Sequence, residues 1–153
     1  MVNRTTVQAM TVCVMMLAFL APAGAADVTY TAVIKPLFEA HCAGCHGKDS
    51  PEYPEFNKDK KKYAELSRGP RMDSYTYLVS FTAWPDTGSL MRRLDDGKGA
   101  KDGKPGNMLQ YLGASDEERL KNLGLFKAWV GNWTLKRWPE ITKEELNGIK
   151  VPF

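Results

Sequence analysis

Cysteine and histidine are scarce in this chain of 153 residues, which contains three cysteines and two histidines. Cys13 lies within an N-terminal apolar segment, so Cys42 and Cys45 alone remain for the rest of the chain and no thiol is left over for a structural disulfide. A structural zinc site needs four ligands, usually as two separated pairs, whereas both histidines and these two cysteines fall within the single run 41–46. The composition therefore argues against a disulfide scaffold and against a zinc fold.

The chain also lacks a strong excess of charge of either sign. Its formal net charge is only +3, and its lysines and arginines are interspersed with aspartates and glutamates. A nucleic-acid-binding domain usually has a clustered basic face. We therefore expect no nucleic-acid partner.

Long apolar runs are absent as well. The apolar stretch Val12–Leu20 is too short to span a membrane comfortably. Arg4 before it and the small residues 23–26 after it are typical of a secretory signal peptide, with an uncleaved anchor as the alternative. We predict that residues 1–26 are a cleaved signal peptide and that no stable membrane insertion follows. Residues 27–153 are then one periplasmic domain with a short C-terminal tail.

The run Cys42-Ala43-Gly44-Cys45-His46 is the attachment signature of c-type haem. Its two thiols can form thioethers with the two vinyl groups of one porphyrin, and the following imidazole can bind the iron. A thioredoxin-like redox centre would need a βα junction, which the surrounding pattern does not show. A simple disulfide would leave His46 without a role. The signature predicts one covalently bound haem c, held by Cys42, Cys45 and His46.

A six-coordinate electron carrier needs a second axial ligand opposite His46, and methionine sulfur is a common partner of histidine. His41 adjoins the attachment loop and cannot reach the opposite face of the same haem. Met91 stands at helical spacing with leucines, which favours core packing, and Met72 closely follows a Gly-Pro-Arg turn. Met108 lies in a glycine-rich loop that can present a side chain end-on. The residues favour Met108 as the ligand, with Met91, Met72 and an open site as alternatives.

Short helical patterns alternate with loops along the middle of the chain. The pattern predicts one helix over Thr31–His41, in which Pro36 is tolerated if it lies in the first turn, and another over Asp73–Phe81, capped by Asp73 or Ser74. A third is predicted over Ser89–Asp95, with Leu90, Met91 and Leu94 on its apolar side. Residues 47–70 are predicted to be a surface loop with at most one helical turn, which also supplies the carbonyl that fixes the His46 ring. Residues 96–106, with four glycines and a proline, are predicted to be a loop.

The last long helix has the clearest start signal. Ser115-x-x-Glu118 predicts a capping box, and an apolar face continues as far as Gly131. Three tryptophans near its end are expected to pack around a large apolar cofactor, or to donate one hydrogen bond to a propionate. These are Trp129, Trp133 and Trp138. A helical turn is possible at 142–147 in the tail.

Taken together, the short helix before the haem motif, the loop methionine and the capped closing helix resemble class I cytochrome c. The resemblance covers roughly residues 31–47 and 105–131. It implies an all-α, compact fold around one covalent haem, whose first and last helices cross, with His46 and Met108 as axial ligands. This chain has Met108-Leu109 where that family usually has Met-Pro, and it carries a long aromatic-rich middle insertion.

These features predict an exported monohaem c-type cytochrome that transfers single electrons between a periplasmic donor and a periplasmic acceptor, and that is not an enzyme. One alternative is a haem sensor or gas-binding protein with five-coordinate iron. Another is a haem subunit of a larger periplasmic oxidoreductase. A haem peroxidase is disfavoured because no spare histidine exists for a distal histidine–arginine pair.

Overall fold

A computed structural model describes residues 27–153, so the predicted signal peptide lies outside the described residues. Within 27–153 the chain is helical, and its one extended pairing is an isolated bridge between Gly131 and Ile149. The predicted all-α fold is confirmed. No helix in this part of the chain combines the length and the apolar character that crossing a membrane requires. The α-helices are α1 (Lys35–His41), α2 (Ala43–His46), α3 (Tyr53–Lys58), α4 (Lys60–Glu65), α5 (Tyr75–Ser80), α6 (Ser89–Leu94), α7 (Asp116–Val130) and α8 (Lys143–Asn147).

The segment that leads into the haem motif is helical, as predicted, but its first turn is wider than an α-helix. Residues Tyr30–Ile34 form a π-helical turn, and α1 follows directly from it. Thr29 caps the π-helical turn, since its Oγ1 accepts a hydrogen bond of 3.3 Å from the Ala32 amide. Pro36, which has no N–H to donate, is the second residue of α1 and lies where the π-helical turn passes into α1.

The middle section is more regular than the sequence predicted. Residues 47–70 contain two short helices, α3 and α4, so the prediction of a surface loop with at most one helical turn is wrong. Each helix has a local start signal. Pro54 lies at the start of α3, and the Asp59 carboxylate accepts a hydrogen bond of 3.0 Å from the Lys62 amide at the start of α4.

Helices α5 and α6 follow the sequence pattern closely. Ser74 caps α5, because its hydroxyl accepts from the Tyr77 amide at 3.2 Å. Leu90, Met91 and Leu94 of α6 are all buried in the main hydrophobic core. Residues 96–106 contain no helix or strand, as their glycine and proline content predicted.

The start of α7 differs in one bond from the predicted capping box. The Ser115 hydroxyl accepts from the Glu118 amide at 3.2 Å, as expected. The Glu118 carboxylate, however, accepts from the Ala114 amide at 2.8 Å instead of from the Ser115 amide. A complete capping box occurs at α8, where Thr142 and Glu145 bond reciprocally.

The C-terminal tail is part of the core packing. The Pro152 carbonyl accepts from the Tyr30 amide at 2.8 Å and from the Trp129 indole N–H at 2.9 Å. The Tyr75 hydroxyl donates to the Val151 carbonyl at 2.8 Å. The tail therefore joins the first helical turn, α5 and α7.

The three tryptophans near the end of α7 do not share one environment. Trp129 is fully buried, whereas Trp138 is 45 % exposed and packs edge-on against the exposed Trp84, with ring centres 4.6 Å apart. Trp133 is partly buried, and its indole N–H donates to Asp95 at 2.9 Å. Only Trp129 and Trp133 contact the main hydrophobic core, and the expectation that all three tryptophans pack around a cofactor stays a prediction.

Candidate haem site

The attachment motif forms one compact helical turn. Cys42 ends α1 and precedes α2, and its carbonyl accepts from the amides of Cys45 at 3.1 Å and His46 at 2.9 Å. The thiol-bearing residues differ in exposure, because Cys42 is half-buried and Cys45 is exposed. Cys42, Cys45 and His46 thus share one helical turn, and their role as haem residues stays a prediction.

The His46 ring is held by a backbone carbonyl from the following segment. Its Nδ1 lies 2.8 Å from the carbonyl oxygen of Pro70. A carbonyl can only accept, so Nδ1 carries the proton and Nε2 keeps the lone pair that can bind a metal. The expected carbonyl does come from the loop 47–70. The sequence did not indicate which residue supplies it.

Two backbone hydrogen bonds and one close packing contact hold residues 69–72 along the motif. The Gly69 amide donates to the Cys45 carbonyl at 2.8 Å, and the Met72 amide donates to the His46 carbonyl at 2.9 Å. Gly69 also packs directly on the ring, because a Cβ added there would overlap the His46 imidazole. A glycine is therefore required at 69 by close approach, which the sequence reasoning did not anticipate.

Burial shifts the pKa of the His46 imidazole and that of the Cys42 thiol. It lowers the pKa of His46 below the ordinary 6.5, and the hydrogen bond to Pro70 only partly offsets this effect. Burial, with a smaller contribution from the neighbouring Cys45, raises the pKa of the Cys42 thiol to about 12. A neutral imidazole with a free Nε2, beside two thiols on one turn, is the donor set that haem c requires. The residues present fit that cofactor.

The three methionines occupy different environments. Met91 is fully buried between Leu90 and Leu94, which is a packing position. Met72 is partly buried against the core, and its amide donates to the His46 carbonyl at 2.9 Å. Met108 is partly buried at the end of the glycine-rich loop, and its amide donates to the Arg93 carbonyl at 2.9 Å. Met108 as the second axial ligand stays a prediction.

The other histidine does not join this cluster. His41, at the end of α1, lies with its Nε2 4.0 Å from a carboxylate oxygen of Glu118 in α7. This contact links the helix before the motif to the closing helix. His41 is partly buried, and its partner in the structure is an acid of another helix.

Comparisons with known proteins agree with this geometry. Residues 29–153 match the family model described as PccH cytochrome c. Among solved structures, the chain is similar to the monoheme cytochrome PccH from Geobacter sulfurreducens, at 59 % sequence identity and a TM-score of 0.78. That match covers 83 % of this chain and 99 % of the other. No curated protein sequence matches the chain significantly.

Proposed function

The chain belongs to the PccH cytochrome c family, and from this premise we propose that it is an exported carrier of single electrons between periplasmic redox partners. It carries one covalently bound haem c, which supplies a one-electron Fe(III)/Fe(II) couple. The observation that carries the proposal is the helical turn Cys42–His46, with its imidazole fixed by the Pro70 carbonyl at 2.8 Å.

Each residue of the site has a definite role in this proposal. Cys42 and Cys45 would hold the cofactor by thioether bonds, and His46 would bind the iron through Nε2. The hydrogen bond from Nδ1 to Pro70 fixes the ring and makes it a stronger electron donor. Met108 would supply the second protein ligand to the iron. Support for this choice comes from Met91, whose side chain is fully buried in the core, and from the place of Met108 at the end of the glycine-rich loop.

Fixed ligands suit an electron carrier. Little has to move when the iron changes oxidation state if both axial ligands are held by hydrogen bonds from the chain. His46 is held by Pro70, and the backbone of Met108 is held by Arg93. The chain's own contribution would thus be to bind the cofactor and to keep its ligands in place.

The N-terminal sequence supports the proposed periplasmic localisation. Residues 1–26 have the pattern of a signal peptide, and 27–153 form the exported domain. Haem attachment consumes both thiols of that domain, which is consistent with an oxidising compartment. We expect an electron donor and an electron acceptor in the periplasm, each bound weakly enough to dissociate quickly.

An optical spectrum combined with an intact mass tests the proposal. The exported protein should have the mass of the chain 27–153 plus one haem. Its ferric form should show the weak red absorption band of methionine bound to iron. Met108→Ala should remove that band, whereas Met91→Ala and Met72→Ala should keep it. A high-spin spectrum with ready binding of carbon monoxide would instead support the five-coordinate sensor, and a mass without haem would refute both.

A further inference from the structure

Asp95 is a buried carboxylate at the end of α6, and it is only 2 % exposed. One oxygen accepts hydrogen bonds from the amides of Gly97 at 2.9 Å and Gly99 at 3.1 Å. The other accepts from the Trp133 indole N–H at 2.9 Å. All three donors are neutral N–H groups, so hydrogen bonds from two backbone amides and one indole stabilise the buried carboxylate. Such an arrangement is costly to disturb, and it ties the start of the loop 96–106 to the segment after α7.

The backbone of the same residue receives the other end of that loop. The Gly106 amide donates to the Asp95 carbonyl at 2.8 Å, and the Met108 amide donates to the Arg93 carbonyl at 2.9 Å. Gly106 lies so close to α6 that an added Cβ would overlap the Arg93 carbonyl. An Arg93 guanidinium N–H also donates to the Asn107 side chain at 3.0 Å. The loop therefore begins and ends at the C-terminal end of α6.

The loop needs this anchor because its own sequence supplies little rigidity. Its tip, residues 101–105, is exposed and has no regular hydrogen-bonded structure. Glycine-rich segments lose much conformational entropy when they are ordered. The carboxylate of Asp95 orders the first residues and its carbonyl orders the last ones. Motion of the exposed tip can then occur without displacing Met108.

We propose that Asp95 is the positioning residue for the second axial ligand: it fixes both ends of the loop 96–106 and thereby keeps the Met108 sulfur bound to iron. Trp133 supports it through its indole N–H. The inference rests on the proposed function, because it takes Met108 as the ligand. It assigns Asp95 no contact with the cofactor.

The test is Asp95→Asn in the haem-loaded protein. The amide keeps the size of the carboxylate but replaces an accepting oxygen by an NH₂ group that faces other donors. We expect the red methionine–iron band of the ferric form to weaken. We also expect the affinity for added imidazole, which competes with the methionine, to rise about tenfold, as a free-energy loss of about 1.4 kcal/mol in the methionine–iron bond would produce.

The loop offers a matched control in Asp102→Asn. Asp102 lies at the exposed tip, and its carboxylate accepts only from the Lys104 amide at 3.1 Å among the contacts of the described chain. This variant should keep the imidazole affinity of the natural protein. Trp133→Phe removes only the indole N–H and keeps a ring in place, so it should raise the imidazole affinity in the same direction by a smaller factor.

The outcomes separate a positioning role from a structural one. If Asp95→Asn lowers the unfolding temperature but keeps the natural imidazole affinity and red band, Asp95 serves stability alone and the proposal is wrong. If Asp95→Asn does not fold, Trp133→Phe decides, and a natural imidazole affinity in that variant overturns the proposal. If Met108→Ala retains the red band, the ligand assignment itself fails, and this result is distinguishable from both others.

Discussion

The Nδ1 of His46 and the carbonyl oxygen of Pro70 lie 2.8 Å apart, although 24 positions separate the two residues in the chain. Through this bond, residues 69–72 form a supporting layer for the proposed haem ligand on the Nδ1 side of its ring. The bond orients the ring, selects the tautomer with a free Nε2 and raises the basicity of the imidazole. Changes in this layer should therefore be detectable at the iron.

Gly69→Ala should displace the His46 ring, which packs directly on residue 69. The added Cβ would overlap the His46 imidazole, so the ring or the segment must shift. We expect a loss of about 1–3 kcal/mol in the free energy of unfolding, the usual cost of overpacking. We also expect a higher reduction potential, because a weaker bond to Pro70 leaves the imidazole a poorer electron donor. Denaturant unfolding and potentiometric titration measure the two effects. An unchanged potential would show that the layer does not influence the iron.

Gly124→Ala serves as the matched control and is a prediction in its own right. Gly124 lies in the middle of α7 and is exposed, and no atom lies within 4 Å of a Cβ added there. Alanine should stabilise the helix by about 0.5–1 kcal/mol, because glycine loses more conformational entropy on folding. The midpoint of denaturant unfolding should rise while the reduction potential stays constant. A fall in the midpoint would contradict the exposed, unobstructed position of Gly124 in α7.

Met91→Ala should separate packing from ligation. Met91 is fully buried in the core, so its truncation should cost about 2–5 kcal/mol of unfolding free energy. The red methionine–iron band should survive in the protein that remains folded. Loss of that band at a temperature where the variant is still helical by circular dichroism would assign Met91 as the ligand.

Tyr75→Phe should weaken the attachment of the tail. It removes the hydroxyl that donates to the Val151 carbonyl at 2.8 Å and leaves the ring in place against Tyr30 and Phe153. The expected loss is about 1 kcal/mol, or roughly 3–5 °C in unfolding temperature. The control is Tyr111→Phe, since Tyr111 is 58 % exposed. Equal melting temperatures for the two variants would mean that the tail bond contributes nothing.

The pKa of Asp96 predicts that the free energy of unfolding depends on pH in the acidic range. Burial raises the pKa of its carboxyl, but the Lys98 amide and the Lys127 ammonium, 3.4 Å away, outweigh burial and bring the pKa below the ordinary 3.8. A pKa that is lower in the folded state stabilises the protein above the unfolded value, and this contribution is lost as the pH falls through the folded value. Asp96→Asn should therefore destabilise the protein near neutral pH.

The difference between the natural protein and Asp96→Asn should shrink as the pH is lowered from about 5 to about 2. Urea unfolding at a series of pH values measures it. Asp102→Asn is the control, because Asp102 is exposed at the loop tip. A difference that stays constant over this range would show that the carboxyl titrates alike in both states.

The sequence was sufficient where the determining contacts are local. The haem motif is contiguous, and the caps at Ser74 and Ser115 involve residues three positions away, so each could be predicted from a short window. The apolar face of α6 follows from spacing alone. Helices α3 and α4 were missed because their prolines and lysine run favour a loop, and short helices carry little periodic signal.

What could not be predicted depends on pairs that are distant in the chain. Nothing near His46 indicates that Pro70 rather than another carbonyl faces its ring. The burial of Asp95 depends on Trp133, which lies 38 positions away, and an aspartate before a glycine-rich loop is usually exposed. The packing of the tail against Tyr30 depends on Pro152 in the same way. Such contacts are properties of the assembled fold.

The contact between Thr31 and Phe153 spans 122 positions, and it has a consequence for biogenesis. If the chain is exported as proposed, passage N-terminus first delivers the Cys42–His46 turn well before the tail residues that bond to the helical turn preceding it. Cys42 and Cys45 would therefore be accessible for haem attachment before the C-terminal tail packs against the first helical turn. A chain that ends before Gly148 should accordingly still bind haem covalently. Its folded-state absorption spectrum, however, should be lost at a lower temperature than that of the full-length chain.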